Sequence, residues 1–197
     1  MSKGVNTAVF LDRDGVINEL VFNPATGEYE APHYPDDYRL FPYVVDAIKI
    51  LINHRYLLFL MSNQPDYAKG KTSMENLRAI HERMHKIFLD NGIVFTHYYY
   101  CYHHPDGVVP EYTKVCECRK PSPYFLRKAE REYNLDLKRS WLIGDQDSDI
   151  LSGKDCGIKT ILLDDVHSTQ RRGNSKPEYK MHNLQDAVEL ITNTHIK

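Results

Sequence analysis

The chain has 197 residues, 42% hydrophobic and 26% charged, and its 25 basic and 27 acidic side chains give a formal net charge of −2. This balance suits one soluble domain over residues 1–197 with a sizeable core, and it gives no electrostatic case for nucleic acid or an anionic membrane as partner. No apolar run approaches a membrane span and the N-terminus lacks a signal-peptide pattern, so a cytoplasmic monomer is the expected form.

The first predicted element is a strand over Ala8–Leu11, four apolar residues in a row. Asp12 and Asp14 follow, spaced so that in extended chain both carboxylates point the same way, and Gly15 lets the chain turn off. Two carboxylates that close repel unless a cation lies between them, and a hard divalent ion such as Mg²⁺ prefers oxygen ligands. The segment lacks the EF-hand spacing and its closing Glu. What remains is an acidic turn or a phosphoryl-transfer centre, in which one carboxylate attacks and the other handles the proton.

Residues 19–40, rich in Asn, Pro, Gly, Tyr and Asp, read as a long loop. Pro42 opens a helix with Val44, Ala47, Ile48, Leu51 and Ile52 on one face. Tyr56 to Met61 is a continuous apolar strand that runs straight into Ser62-Asn63-Gln64-Pro65. Thr72 with Glu75 forms a capping-box pattern ahead of a helix burying Leu77, Ile80, Met84, Ile87 and Phe88, which Gly92 ends. Val94 to Tyr100 is a third strand. Ser122-Pro123 then caps a helix through Leu126, Ala129 and Tyr133. Trp141 to Ile143 is a fourth strand, ending in Gly144-Asp145, and a short helix leads to a fifth over Thr160 to Leu163. Residues 165–178 read as a mobile loop. Asn183 with Asp186 caps a last helix through Leu184, Val188 and Ile191.

Apolar strands alternating with helices indicate an α/β fold: a Rossmann-like, doubly wound parallel sheet covered on both faces, with no separate cap domain. Ligands of such sheets bind beyond the carboxyl ends of the strands. Three predicted strands end in functional-looking residues there: Asp12 with Asp14, Ser62 with Asn63, and Asp145. Unrelated acidic turns have no reason to gather along that edge.

Cys101, Cys116 and Cys118 fall in one short region with His103 and His104, while Cys156 stands apart beside Gly157. Clustering of this kind in a reducing compartment suggests a metal rather than disulfides. Three thiolates and an imidazole suit tetrahedral Zn²⁺ with no open position, so the ion would be structural. Cys101, His103, Cys116 and Cys118 supply that set, with His104 as a spare candidate. Free thiols in a loop are the plainer alternative.

Asp12-Arg13-Asp14-Gly15, Ser62, Lys120, and Gly144-Asp145 with Asp149 resemble the four motifs of the haloacid dehalogenase superfamily of phosphohydrolases, in order and across nearly the whole chain. More narrowly, Ser62-Asn63-Gln64, the Cys101-x-His103 … Cys116-x-Cys118 loop and Arg119-Lys120-Pro121 resemble the zinc-containing heptose-bisphosphate phosphatases. Histidinol-phosphate phosphatases share most of the pattern, and the ligand set omits His104. The resemblance implies that Asp12 is the nucleophile and Asp14 the acid/base. Mg²⁺ would lie on Asp12, the Asp14 carbonyl and Asp145. Ser62 and Lys120 would bind the phosphoryl group. Substrate recognition would fall to Asn18, Asn63, Gln64 and Arg119.

The implied substrate is a small phosphorylated sugar, a heptose 1,7-bisphosphate losing its C7 phosphate, with histidinol phosphate as the rival. Gln146 stands where the heptose phosphatases often carry Lys, removing one positive charge near the phosphate. A non-catalytic, zinc-stabilised binding module is the alternative from another class, and the intact Asp pair argues against it.

Overall fold

The computed structural model describes residues 5–194. The first strand, β1 (Ala8–Leu11), is wholly buried, as its unbroken apolar run requires. A two-stranded antiparallel hairpin follows, β2 (Val21–Asn23) with β3 (Glu28–Glu30), turning at Gly27 with φ +71°. Residues 19–40 are therefore not a plain loop. Strands of three residues are too short to show an alternation in sequence.

Helix α1 (Val44–Asn53) buries Val44, Ala47, Ile48 and Leu51, and β4 (Leu57–Asn63) runs on through Ser62. Helix α2 (Met74–Asp90) is capped by Ser73, whose Oγ accepts from the Asn76 N–H at 3.1 Å. Thr72, the expected cap, instead donates to the His33 carbonyl at 2.5 Å and so ties the helix start to the segment after the hairpin. Strand β5 (His97–Cys101) begins later than the apolar run at Val94 suggests. Helix α3 (Tyr124–Tyr133) starts one residue beyond Pro123, and the Lys120–Pro121 peptide is cis. Strand β6 (Trp141–Gly144), helix α4 (Asp147–Lys154) and β7 (Lys159–Leu163) follow as expected.

The stretch after β7 is more regular than its composition suggests. A 3-10 turn covers Val166–Arg171, and a sixth strand, β8 (Tyr179–Met181), forms the sheet edge before α5 (Leu184–Thr194). Arg172 fastens this segment by donating to the Asp145 and Leu163 carbonyls at 3.3 and 3.1 Å, and it also contacts Asp164 and Asp165. Ser175 adds two bonds to Asp147, from Oγ at 2.6 Å and from N at 3.2 Å.

The sheet order is β5-β4-β1-β6-β7-β8, all parallel. Side chains alternate along β1, so Val9 and Leu11 enter one core with residues of α1, α2 and α5, while Ala8 and Phe10 enter the other with Leu126 and Ala129 of α3. This doubly wound sheet, with helices on both faces, puts the amino-acid chain's crossovers where a ligand crevice forms. Among the described residues no helix is long and apolar enough to cross a membrane.

Candidate active site

Register explains why the acidic residues meet. Leu11 pairs with Leu60 of β4 and with Ile143 of β6, so the residues just beyond them leave the sheet side by side. The Asp12 N–H still donates to the Ile143 carbonyl at 3.0 Å, extending the ladder by one bond. Gly15 then adopts φ +83°, and a Cβ there would lie 2.5 Å from Asp145 Oδ2, so a side chain is barred both by backbone angle and by space.

Asp12 is buried and accepts from Lys120 Nζ at 2.9 Å and from the Arg13 N–H at 2.8 Å, both on Oδ1. The same ammonium reaches Asp149 Oδ1 at 2.6 Å and the Met61 carbonyl at 2.8 Å, which uses all three of its donors. Burial and the Asp12 charge raise the Asp149 pKa, even though Lys120 pulls it down: one cation stands between two carboxylates. Asp149 also caps α4 by accepting from the Gln146 N–H at 3.2 Å. Asn63 holds the backbone of Lys120 from both sides, accepting from its N–H at 3.0 Å and donating to its carbonyl at 3.1 Å.

Asp14 is turned away from this group. Its Oδ1 accepts from Arg13 Nε and Asn18 Nδ2, both at 3.0 Å, and its Oδ2 from Arg13 Nη2 at 3.1 Å and Gln64 Nε2 at 2.6 Å. Burial alone would raise its pKa, but the Arg13 charge and these donors hold it below the usual carboxylate range. Asn18 and Gln64, expected on the substrate-facing surface, are fully buried behind Asp14. Ser62 is also buried and is linked to Asp14 through Gln64, which donates to its Oγ at 2.9 Å. Arg13, quoted in the first motif but given no role from sequence, has 1% exposure at the centre of this network. A charged residue between two carboxylates at the end of a buried strand was the available signal.

Asp12, Asp145 and Asp149 each bring a carboxylate oxygen within 4.8 Å of the other two, and all are buried. Lys120 is the ammonium among them, so the set stays net negative and offers hard oxygen donors, which fits a divalent cation such as Mg²⁺. Both oxygens of Asp149 are engaged, Oδ1 by Lys120 and Oδ2 by the Gln146 N–H at the start of α4, whereas both bonds to Asp12 fall on Oδ1.

A second cluster, at the end of β5 and in the loop beyond it, joins Cys101, His103, Cys116 and Cys118. The sulfurs of Cys101, Cys116 and Cys118 lie 3.2–3.5 Å apart, and His103 Nδ1 is 3.9 and 3.5 Å from Cys101 and Cys118. The three cysteines are free thiols. The edge of a tetrahedron with metal–sulfur bonds of ~2.3 Å is roughly 3.8 Å, so the four atoms are close to a coordination shell. The loop docks on the segment after β4, where the Val108 and Val109 N–H groups share the Ala68 carbonyl at 2.7 and 3.1 Å. Cys156 sits apart in the α3-side core.

These elements enclose a cleft of about 340 Å³ with Asp12, Asp14 and Lys120 on its lining. The hairpin contributes Glu28 and Glu30, with Ala31 just beyond it, the end of β4 contributes Asn63, the segment after it Asp66, Lys69 and Lys71, and the Cys/His loop ends in Arg119. Gln146 and Ser148 line the remaining side. Glu30 is held below the usual carboxylate range, to about 2, because bonds from Lys71, Asn23 and Thr26 outweigh its burial. That Glu30–Lys71 contact at 2.8 Å pins the hairpin over the cleft. Arg119 is aimed by a bond from Nη1 to the His103 carbonyl at 3.3 Å.

Residues 117–187 match a family model described as HAD-hydrolase-like. The chain is 31% identical over 185 residues to the D-glycero-beta-D-manno-heptose-1,7-bisphosphate 7-phosphatase of Yersinia pestis, covering 93% of this chain and 94% of that protein. It is 36% identical over 163 residues to a protein of that name from Photorhabdus laumondii, covering 83% and 82%. Among solved structures, the D,D-heptose 1,7-bisphosphate phosphatase of B. bronchiseptica, complexed with magnesium and phosphate, superimposes with a TM-score of 0.77 at 25% identity, covering 95% of this chain and 99% of that one.

Proposed function

This chain belongs to the heptose-1,7-bisphosphate 7-phosphatase family of HAD-like hydrolases, and from that premise we propose that it removes the C7 phosphate of a D-glycero-D-manno-heptose 1,7-bisphosphate. The observation that carries the chemistry is the buried Asp12 carboxylate, 2.9 Å from Lys120 at the floor of a cleft.

In this reading an Asp12 oxygen attacks phosphorus, the bond to the C7 oxygen breaks, and that oxygen takes a proton from Asp14, which carries one only when turned out of the Arg13 contact that holds it ionised at rest. The ionised Asp14 then takes a proton from the water that attacks the aspartyl-phosphate, releasing phosphate and restoring Asp12. Lys120 and the Ser62 hydroxyl stabilise the charge on the equatorial phosphoryl oxygens. Mg²⁺, held by Asp12, Asp145 and the Asp14 backbone carbonyl, would supply further charge neutralisation when bound. Asp145 is fully buried, so its contribution is rigid placement of an oxygen. The Asn63 clamp on the Lys120 backbone places the ammonium, leaving Asn63 on the cleft wall to meet the sugar.

The Cys/His cluster is proposed to hold one structural Zn²⁺ per chain. Protein purified without added zinc is expected to contain about one equivalent. Chelation under reducing conditions should lower thermal stability and raise KM, because the loop that ends in Arg119 folds with its metal. A zinc-free preparation with reduced thiols and unchanged stability would refute this.

The cleft wall is mixed in charge, and this is the specific support for the rival substrate. Lys69, Lys71 and Arg119 suit a second phosphate, whereas Glu28 and Asp66 would accept the amine of histidinol phosphate. The guanidinium of Arg119 favours the bisphosphate and opposes the amine. The heptose bisphosphate is expected to have at least a tenfold higher kcat/KM, a preference worth about 1.4–3 kcal/mol, and Arg119→Ala should reduce it. A higher kcat/KM for histidinol phosphate, or a ratio unchanged in Arg119→Ala, would transfer the assignment to the rival.

A further inference from the structure

Arg13 lies outside the cleft lining, yet it touches the acid/base residue and the support of the phosphate-binding hydroxyl together. Its Nε and Nη2 donate to the two oxygens of Asp14 at 3.0 and 3.1 Å, and Nη2 also donates to Gln64 Oε1 at 2.7 Å. A guanidinium has donors only, so it dictates which way the Gln64 amide faces. The oxygen must point to Arg13 and the NH₂ group to the other side. There the NH₂ group reaches Asp14 Oδ2 at 2.6 Å and Ser62 Oγ at 2.9 Å. Ser62 therefore accepts from Gln64 and keeps its own proton for another acceptor.

We propose that Arg13, acting through the Gln64 amide, is a positioning residue that orients both the Asp14 carboxylate and the Ser62 hydroxyl for phosphoryl transfer. The assignment rests on the phosphatase reading above, and it deepens that reading by giving Gln64 and Arg13 work that involves no contact with substrate. A buried ion pair is a poor way to fill space, since apolar side chains of similar volume serve at least as well. What the pair does supply is direction. Each Asp14 oxygen receives two donors, with Asn18 completing the set, so the carboxylate has one orientation. When Asp14 turns to protonate a leaving oxygen it must release donors that stay in place for its return.

The test measures kcat/KM on p-nitrophenyl phosphate and on glycerol phosphate, with Mg²⁺, for wild type, Arg13→Met, Arg13→Lys and Gln64→Met. An aryl leaving group needs little help from an acid and an alkyl one needs much, and kcat/KM reports only the step in which that group departs. Arg13→Met is expected to lose roughly 30–100-fold on the alkyl ester and under about fivefold on the aryl ester. Arg13→Lys, which keeps a donor for Asp14, should recover part of the alkyl loss. Gln64→Met should raise the inhibition constant of inorganic phosphate by roughly 3–10-fold through Ser62. In an Asp14→Asn background, Arg13→Met should cost under about threefold more on the alkyl ester, because its partner is already disabled.

Equal losses on both esters, or losses that multiply in the double variant, would overturn the proposal. An unchanged phosphate inhibition constant in Gln64→Met would remove the Ser62 half. If Arg13→Met does not fold, Gln64→Met, neutral and of similar volume, decides both halves by the same ester ratio and inhibition constant. If wild type hydrolyses neither ester, the variants are compared on the heptose 1,7-bisphosphate, itself an alkyl ester, and a wild-type protein inactive there too would overturn the phosphatase reading and this one with it.

Discussion

Purified Asp12→Asn protein is expected to fold normally and to release phosphate at least about 10⁴-fold more slowly than wild type. The amide has the size of the carboxylate but almost no nucleophilicity, so the attacking atom is lost while the packing is kept. The substitution also removes one of the two charges that flank Lys120, at 2.9 and 2.6 Å, and leaves Asp149 as the sole carboxylate partner of that ammonium. Thermal stability should therefore change little. Phosphate release and a melting curve on the same preparation check both halves. Retained turnover that survives repurification would remove Asp12 from the nucleophile's role.

Lys120→Met should harm both catalysis and folding. Lys120 has 3% exposure and is the cation between Asp12 and Asp149. Without it two buried carboxylates face each other, a change that costs about 3–5 kcal/mol. At 2–4 °C per kcal/mol, Tm should fall by roughly 6–20 °C. Turnover should fall about 10²–10³-fold, the usual loss when one donor to a developing phosphoryl charge is removed. The pH dependence separates this cause from lost packing. Asp149 already has a raised pKa in the folded state, and losing the ammonium raises it further. Below the unfolded carboxylate pKa of about 4 both states carry the proton and the charge repulsion is gone. As pH rises through the folded pKa, the deficit relative to wild type opens. A deficit independent of pH between 4 and 8 would mean that packing, not charge, is the cause.

Much of the site was legible because its chemistry sits on strand ends. Asp12, Ser62 and Asp145 each follow an apolar run, and parallel register brings those ends together, so locating the strands locates the edge. The Cys/His cluster was legible from spacing, since four candidate ligands so near in sequence have few ways to be arranged. The directions of side chains were not legible. Asn18 and Gln64 are polar, adjacent to the motifs and easily read as substrate contacts, but whether such a residue faces the cleft or Asp14 depends on Arg13, whose partners lie on two different elements. The hairpin and β8 were missed because strands of three residues, half exposed, carry no periodic signal. The segment after β7 looked loose from its Gly, Ser and Lys content, but a single arginine bonded to several backbone carbonyls gives it shape.

The placement of β1 between β4 and β6 also governs how the molecule is assembled as it emerges during synthesis. Asp12 is made well before Lys120, Asp145 and Asp149, which lie more than a hundred residues further along the chain. A nascent chain that stops before Trp141 presents β1 with one hydrogen-bonding edge unpaired, in the middle of what should be an interior sheet. That edge is apolar and open to wrong partners, and closing it requires a contact between distant parts of the sequence, which is slow. The acidic cluster is assembled late for the same reason. Asp12 gains its acidic neighbours Asp145 and Asp149 only when β6 has zipped on, so the early chain carries a buried-type carboxylate in solvent, where it is harmless. Aggregation of the unfinished chain, rather than premature chemistry, is the hazard this topology creates.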